Sequence, residues 1–174
     1  MKLKGRRPGV HIEPIVLPRP EEDLVFHAKA IEDFDEFEKL CPVPEPPAKI
    51  LPSGEKIPNV GDPIYLDSMN AYGMKRVAYM VIKGLSEGTP DLEWDTVELE
   101  NHHTWLGYRK EMRESGLSDT EINRIIAGCM RANSLSEVAV DQAMKRFLAG
   151  QQARSEEQTS QKVEPSNTPS GKPA

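Results

Sequence analysis

The segment Leu117-Ser118-Asp119-Thr120-Glu121-Ile122 constrains the fold more than any other stretch of this chain. Ser118 is placed to accept from the free N–H groups of a helix's first turn, and Glu121 to reach back to the N–H of Ser118. Leu117 and Ile122 stand where a hydrophobic staple closes across such a cap. The pattern opens the middle one of three short helices expected between Glu98 and Gly150. The first, His102 to Ser115, carries Trp105, Tyr108 and Met112. Gly116 is placed as the left-handed residue past its end, with Leu117 set to touch Met112. The second, Asp119 to Ala132, gathers Ile122, Ile125, Ile126 and Cys129 on one stripe. The third, Leu135 to Ala149, opens on Ser134-Leu135-Ser136-Glu137 and carries Val140, Ala143, Met144, Phe147 and Leu148, with Gly150 closing it. Loops of a few residues predict that the three pack as a compact antiparallel or orthogonal set.

Upstream the periodicity changes. Val10 to Leu17 is rich in β-branched residues, and Pro14 restricts it to an edge or interrupted strand. Leu24 to Ile31 alternates, with Leu24, Phe26, Ala28 and Ala30 on one face. The two predict an antiparallel pair that needs a cover. Phe34, Phe37 and Leu40 recur at threes after Asp33 and Asp35, a short amphipathic helix that Pro42 stops. Pro42 to Pro63 reads as extended proline-rich linker with turns. Ser68 to Leu85 predicts a buried helix capped by Asp67 or Ser68, weakened by Gly73 and Gly84 and ended by Gly88 and Pro90. Val97 and Leu99 suggest a short extended piece. Beyond Gln151 periodicity is lost, and Arg154, Lys162 and Lys172 balance Glu156, Glu157 and Glu164.

The expected organisation is therefore a flexible basic N-terminus (1–8), a small β element plus short helix (9–41), a proline-rich linker (42–66), a helical domain (67–150) and a disordered tail (151–174). The fold class is mainly α with a small N-terminal β element, α+β, ending in a compact helical bundle.

Composition narrows the function classes. The net charge of −6 argues against nucleic acid, whose phosphates are met by Lys and Arg. Lys2, Lys4, Arg6 and Arg7 are too few to reverse that. No apolar run approaches the length of a membrane span, and the charged start has no apolar segment behind it, so neither membrane nor export is expected. Cys41 and Cys129 read as free thiols of an intracellular chain.

Candidate chemistry is sparse. His102 and His103 lie near Glu98 and Glu100, but adjacent residues project differently, whereas helical metal ligands sit three or four apart. His11 and His27 are isolated. Cys41 lacks a placed base and reads as a small buried residue, and Cys129 falls on the Ile122/Ile126 stripe. Glu32, Asp33, Asp35, Glu36 and Glu38 lack the spacing of a calcium loop and read as a solvated acidic face attractive to a basic partner. Pro42 to Pro47 has the character of a spacer, with docking to an aromatic groove as its functional reading. No catalytic, cofactor or metal residue is assigned, and the expectation is a binding protein rather than an enzyme.

The succession Phe34-x-x-Phe37-x-x-Leu40-Cys41-Pro42, Met80 to Leu85, Leu92-Glu93-Trp94-Asp95-Thr96-Val97, His103-Thr104-Trp105, Gly116-Leu117-Ser118, Arg131 to Leu135 and Phe147 to Gly150 resembles tail assembly chaperones of tailed bacteriophages. The likeness covers roughly residues 8 to 150. It implies a factor of the host cell cytoplasm, without cofactor, that binds the tape measure protein and recruits tail tube protein around it. The alternative is a structural virion component, such as a head–tail connector or minor tail protein. The resemblance assigns no contacting residue and leaves self-association open.

Overall fold

The computed structural model describes residues 2, 4–134 and 140–150. The chain divides into two compact units, Met1–Ser134 and Leu135–Ala174. It is mainly helical with small antiparallel sheets, as the sequence predicts.

The first unit begins with β1 (Ile12–Leu17) and β2 (Leu24–Lys29), paired antiparallel with Ile15 opposite Phe26 and Leu17 opposite Leu24. Alternation sets the faces: Ile15, Leu17 and Ala28 are buried while Val16 and Val25 stay exposed. Helix α1 (Asp35–Leu40) buries Phe37 completely, with Phe34 and Leu40 partly covered. The Asp33 carboxylate accepts from the N–H of Asp35 at 3.2 Å.

The proline-rich segment is corrected by the structure. Inside it β3 (Ala48–Ile50) and β4 (Lys56–Pro58) pair antiparallel. Pro52 and Ser53 occupy the turn, the Gly54 N–H donates to the Leu51 carbonyl at 2.9 Å, and Gly54 takes φ +85°. That is a proline-led turn closed by a left-handed glycine, a hairpin signal. The long helix α2 then runs Pro63–Gly88, starting five residues earlier than expected. Asp62, not Asp67 or Ser68, is its cap, accepting from Ile64 and Tyr65 at 3.0 and 3.1 Å. Pro63 fits the first helical position because that N–H would be unpaired anyway.

Gly84 and Gly88 let α2 lie directly on β2. A Cβ on Gly84 would sit 2.9 Å from the Lys29 carbonyl oxygen, and one on Gly88 2.0 Å from that of His27. Val97 is buried in a loop, not a strand. The helix expected from His102 starts later, as a 3-10 turn at Trp105–Gly107 continuing into α3 (Tyr108–Glu114). The preceding residues are committed to successive turns, in which Asn101 donates to Glu98 and Thr104 to Asn101.

The corner between α3 and α4 (Asp119–Ala132) has the predicted chemistry. The Leu117 N–H donates to the Met112 carbonyl at 3.2 Å and that of Gly116 to Arg113 at 3.1 Å, with Gly116 at φ +95°. Both bonds of a Schellman ending are thus made. The Ser118 N–H donates to Glu121 at 2.8 Å, and the Glu121 N–H reaches the Ser118 hydroxyl at 3.4 Å. Helix α4 buries Ile122, Ile125, Cys129 and Ala132. It meets β1 at Gly128, where a Cβ would come within 2.4 Å of the Ile15 side chain. The N-terminal sheet is therefore covered by α2 and α4. At the centre lie Phe37, Tyr79 and Trp105, with ring centroids 5.1 to 5.8 Å apart.

The third helix of the expected set falls in the second unit. Residues 140–150 form helix α5, on which Val140, Met144, Phe147 and Leu148 are exposed. The cap expected at Ser134–Glu137 and the tail expected from residue 151 lie outside the described residues.

Candidate functional site

A largely apolar concavity of the first unit lies between β2, the end of α2, the loop through Trp94 and helix α3. Its volume is about 370 Å³. Phe26, Leu85, Leu92, Trp94, Met112 and Leu117 form its floor, and Glu93, Asp95, Glu111 and Glu114 stand around it. Each wall is held by hydrogen bonds. The Trp94 indole N–H donates to the Ser86 hydroxyl at 3.0 Å, and Ser86 donates to the Ile82 carbonyl at 2.7 Å. The Glu111 carboxylate accepts from the Asp95 and Thr96 N–H groups at 2.5 and 3.0 Å and from the Thr96 hydroxyl at 2.6 Å. Burial pushes the Glu111 carboxyl up, but these donors outweigh it and hold it below the ordinary range. Glu111 thus fastens the Trp94 loop to α3. Glu93, Asp95 and Glu114 remain exposed, and Glu114 lies 3.6 Å from Lys110. The result is an apolar trough with a negative rim.

A second group of polar side chains was not legible in the sequence. The Tyr79 hydroxyl donates to Glu36 at 2.8 Å, and the Lys83 ammonium donates to the same carboxylate oxygen and lies 3.1 Å from the Tyr79 hydroxyl. Burial works to lower the Lys83 pKa, yet Glu36 and Tyr79 hold it above the ordinary lysine range. Lys83 and then Tyr79 pull the Glu36 carboxyl down. A lysine so held is charged at neutral pH and acts as a cation rather than a base. Only the Tyr79–Lys83 spacing, one helical turn, could have signalled this group.

The singled-out residues are dispersed. His102 and His103 have ring centroids 3.9 Å apart, and His102 Nδ1 lies 3.0 Å from the Lys75 ammonium. Burial, with the charges of Lys75 and His103, lowers the His102 pKa. Among the described residues no three His, Cys, Asp or Glu side chains converge as metal ligands would. Cys41 and Cys129 are free and buried, and burial pushes the Cys129 thiol up to about 12. Within the acidic run, Glu36 turns onto Lys83 and Glu32 lies 3.6 Å from Lys29, while Asp33, Asp35 and Glu38 are not buried. Pro42 and Pro44 lie along α2 beside Ser68 and Tyr72. No helix among the described residues is long and apolar enough to cross a membrane.

Compared with protein-family models, curated proteins and solved structures, the chain matches none.

Proposed function

We propose that this protein is a non-enzymatic assembly factor that holds an apolar, basic-flanked helical segment of a partner in the groove beside Trp94. The observation that carries the reading is the trough itself, a fixed apolar floor with exposed carboxylates at its edge. An amphipathic helix lays its apolar stripe into such a floor, and its lysines or arginines meet the rim, which favours encounter and register more than bulk affinity. The resemblance to tail assembly chaperones supplies the partner, the phage tape measure protein, met in the host cell cytoplasm as tail tube protein is recruited.

Co-purification with the full-length tape measure protein tests this. Binding is expected to weaken as salt rises. Replacing Glu93, Asp95 and Glu114 together by Lys should weaken it about tenfold or more, each exposed pair contributing up to about 1 kcal/mol. Failure to bind the tape measure protein overturns the partner. Presence of this chain in purified virions would instead favour a structural virion component.

A further inference from the structure

We propose that the N-terminal half of α2 pairs antiparallel with the same segment of a second copy of this chain, independently of what fills the groove. No residue of α2 before Ala78 is buried, and Leu66, Met74 and the neighbouring Leu106 are 52%, 57% and 43% exposed. Leu66, Asn70, Gly73 and Val77 follow one another at four, three and four residues, the spacing of a helix–helix seam. The seam opens on a depression of about 450 Å³ that also borders Tyr108 and Arg109. At its middle a Cβ added to Gly73 would meet nothing within 4 Å, so a second helix has room to approach closely.

The seam is complementary to itself under a two-fold axis, which makes the second copy its occupant. An antiparallel register centred between Asn70 and Gly73 sets Leu66 against Val77 of the other copy, and Asn70 against Gly73, in both directions. Charge selects the same orientation. Asp67 is exposed beside the seam at one end; Arg109 lines the depression and follows Trp105, which packs on Tyr79 just past the other end. Antiparallel pairing brings Asp67 of each copy beside Arg109 of the other, whereas parallel pairing keeps Asp67 of each copy at the end away from Arg109 of the other. The seam from Leu66 to Val77 is only about 16 Å long, so the interface is small and falls with the weak, concentration-dependent class.

Sedimentation equilibrium of the full chain over a wide concentration range tests this. The wild-type chain should pass from monomer to dimer. Met74→Glu places a charge in the depression that the seam opens on and should weaken the dimer about tenfold or more. Asp67→Arg and Arg109→Asp should each weaken it about two- to fivefold, and the two together in one chain should restore it, because both contacts re-form with signs exchanged. A chain monomeric at every concentration overturns the proposal, as does a dimer indifferent to Met74→Glu in a variant with wild-type circular dichroism. If Met74→Glu loses helix, the charge pair decides: recovery in the double variant supports the seam and no recovery overturns it.

Discussion

From Ala78 to Leu85 helix α2 is enclosed by the sheet, by Trp105 and by α4, whereas from Pro63 to Val77 the same helix buries no residue completely. The glycines record the contrast most sharply. Gly84 and Gly88 sit against the backbone of β2, where even a methyl group collides, while Gly73 faces open space. One half of the helix is built to be covered from within the chain. The other packs Tyr72 on Phe37 along one side but leaves Ile64, Leu66 and Met74 exposed. The difference teaches that stability and association surface are divided along a single element. Changes in the first half should move folding, and changes in the second should move association.

The largest contrast comes from truncation. Trp105 is fully buried against Phe37 and Tyr79, so Trp105→Ala should cost about 3–5 kcal/mol. Ile64 is 78% exposed, and Ile64→Ala should stay within about 0.5 kcal/mol. Urea unfolding of dilute protein measures both. A large loss at Ile64 would break the division.

The glycines follow. A Cβ on Gly88 would lie 2.0 Å from a backbone oxygen that cannot swing aside, so Gly88→Ala should destabilise by about 1–3 kcal/mol. Gly73→Ala in dilute, monomeric protein should stabilise by about 0.5–1 kcal/mol, because helix propensity improves and nothing clashes. Opposite signs for one substitution in one helix would be hard to obtain if both halves were packed alike.

The two helix caps sharpen the same point. Ser118 caps α4 within the packed unit, and Ser118→Ala should lower the unfolding free energy by about 1 kcal/mol. Asp62 makes the same kind of cap at the start of the uncovered half. Asp62→Ala should fray the first turns, visible as faster amide exchange there, with little change in the global unfolding midpoint.

What could be read beforehand follows from how local each signal is. The Ser118–Glu121 box, the Gly116 ending and the paired strands rest on residues close in sequence, and these were legible. The start of α2 was legible in principle, since Asp62-Pro63 is a cap followed by proline at the first helical position, but the proline density around it suggested linker. The β3–β4 hairpin was hidden the same way behind Pro52 and Gly54. The acid-rimmed groove was not legible. Phe26, Leu85, Trp94 and Met112 come from four separate segments, and only tertiary packing makes them neighbours. Glu36 and Lys83 likewise lie far apart in sequence, so an acidic run read as solvated face contains one carboxylate committed to an internal contact.

Acid provides the smallest and most specific test. The Arg19 guanidinium, then the Ser118 N–H and hydroxyl, hold the Glu121 carboxyl down to about 2. Its folded pKa lies below the unfolded value of about 4.3, so its contribution is complete above that value. It is lost as the pH falls from about 4 toward about 2, where the folded form also takes up the proton. Both partners belong to the packed unit, Arg19 following β1 and Glu121 opening α4. Protonation of Glu121 should therefore lower the unfolding midpoint of the whole unit, while the exposed half of α2 keeps its helical signal up to that midpoint. Glu121→Gln removes the titrating group and should flatten the stability profile between about pH 4 and about pH 2. It should also be less stable than wild type at neutral pH. A Glu121→Gln profile as steep as wild type would assign the acid sensitivity to other carboxylates, and Glu36, also held low by its cation, is the next one to replace.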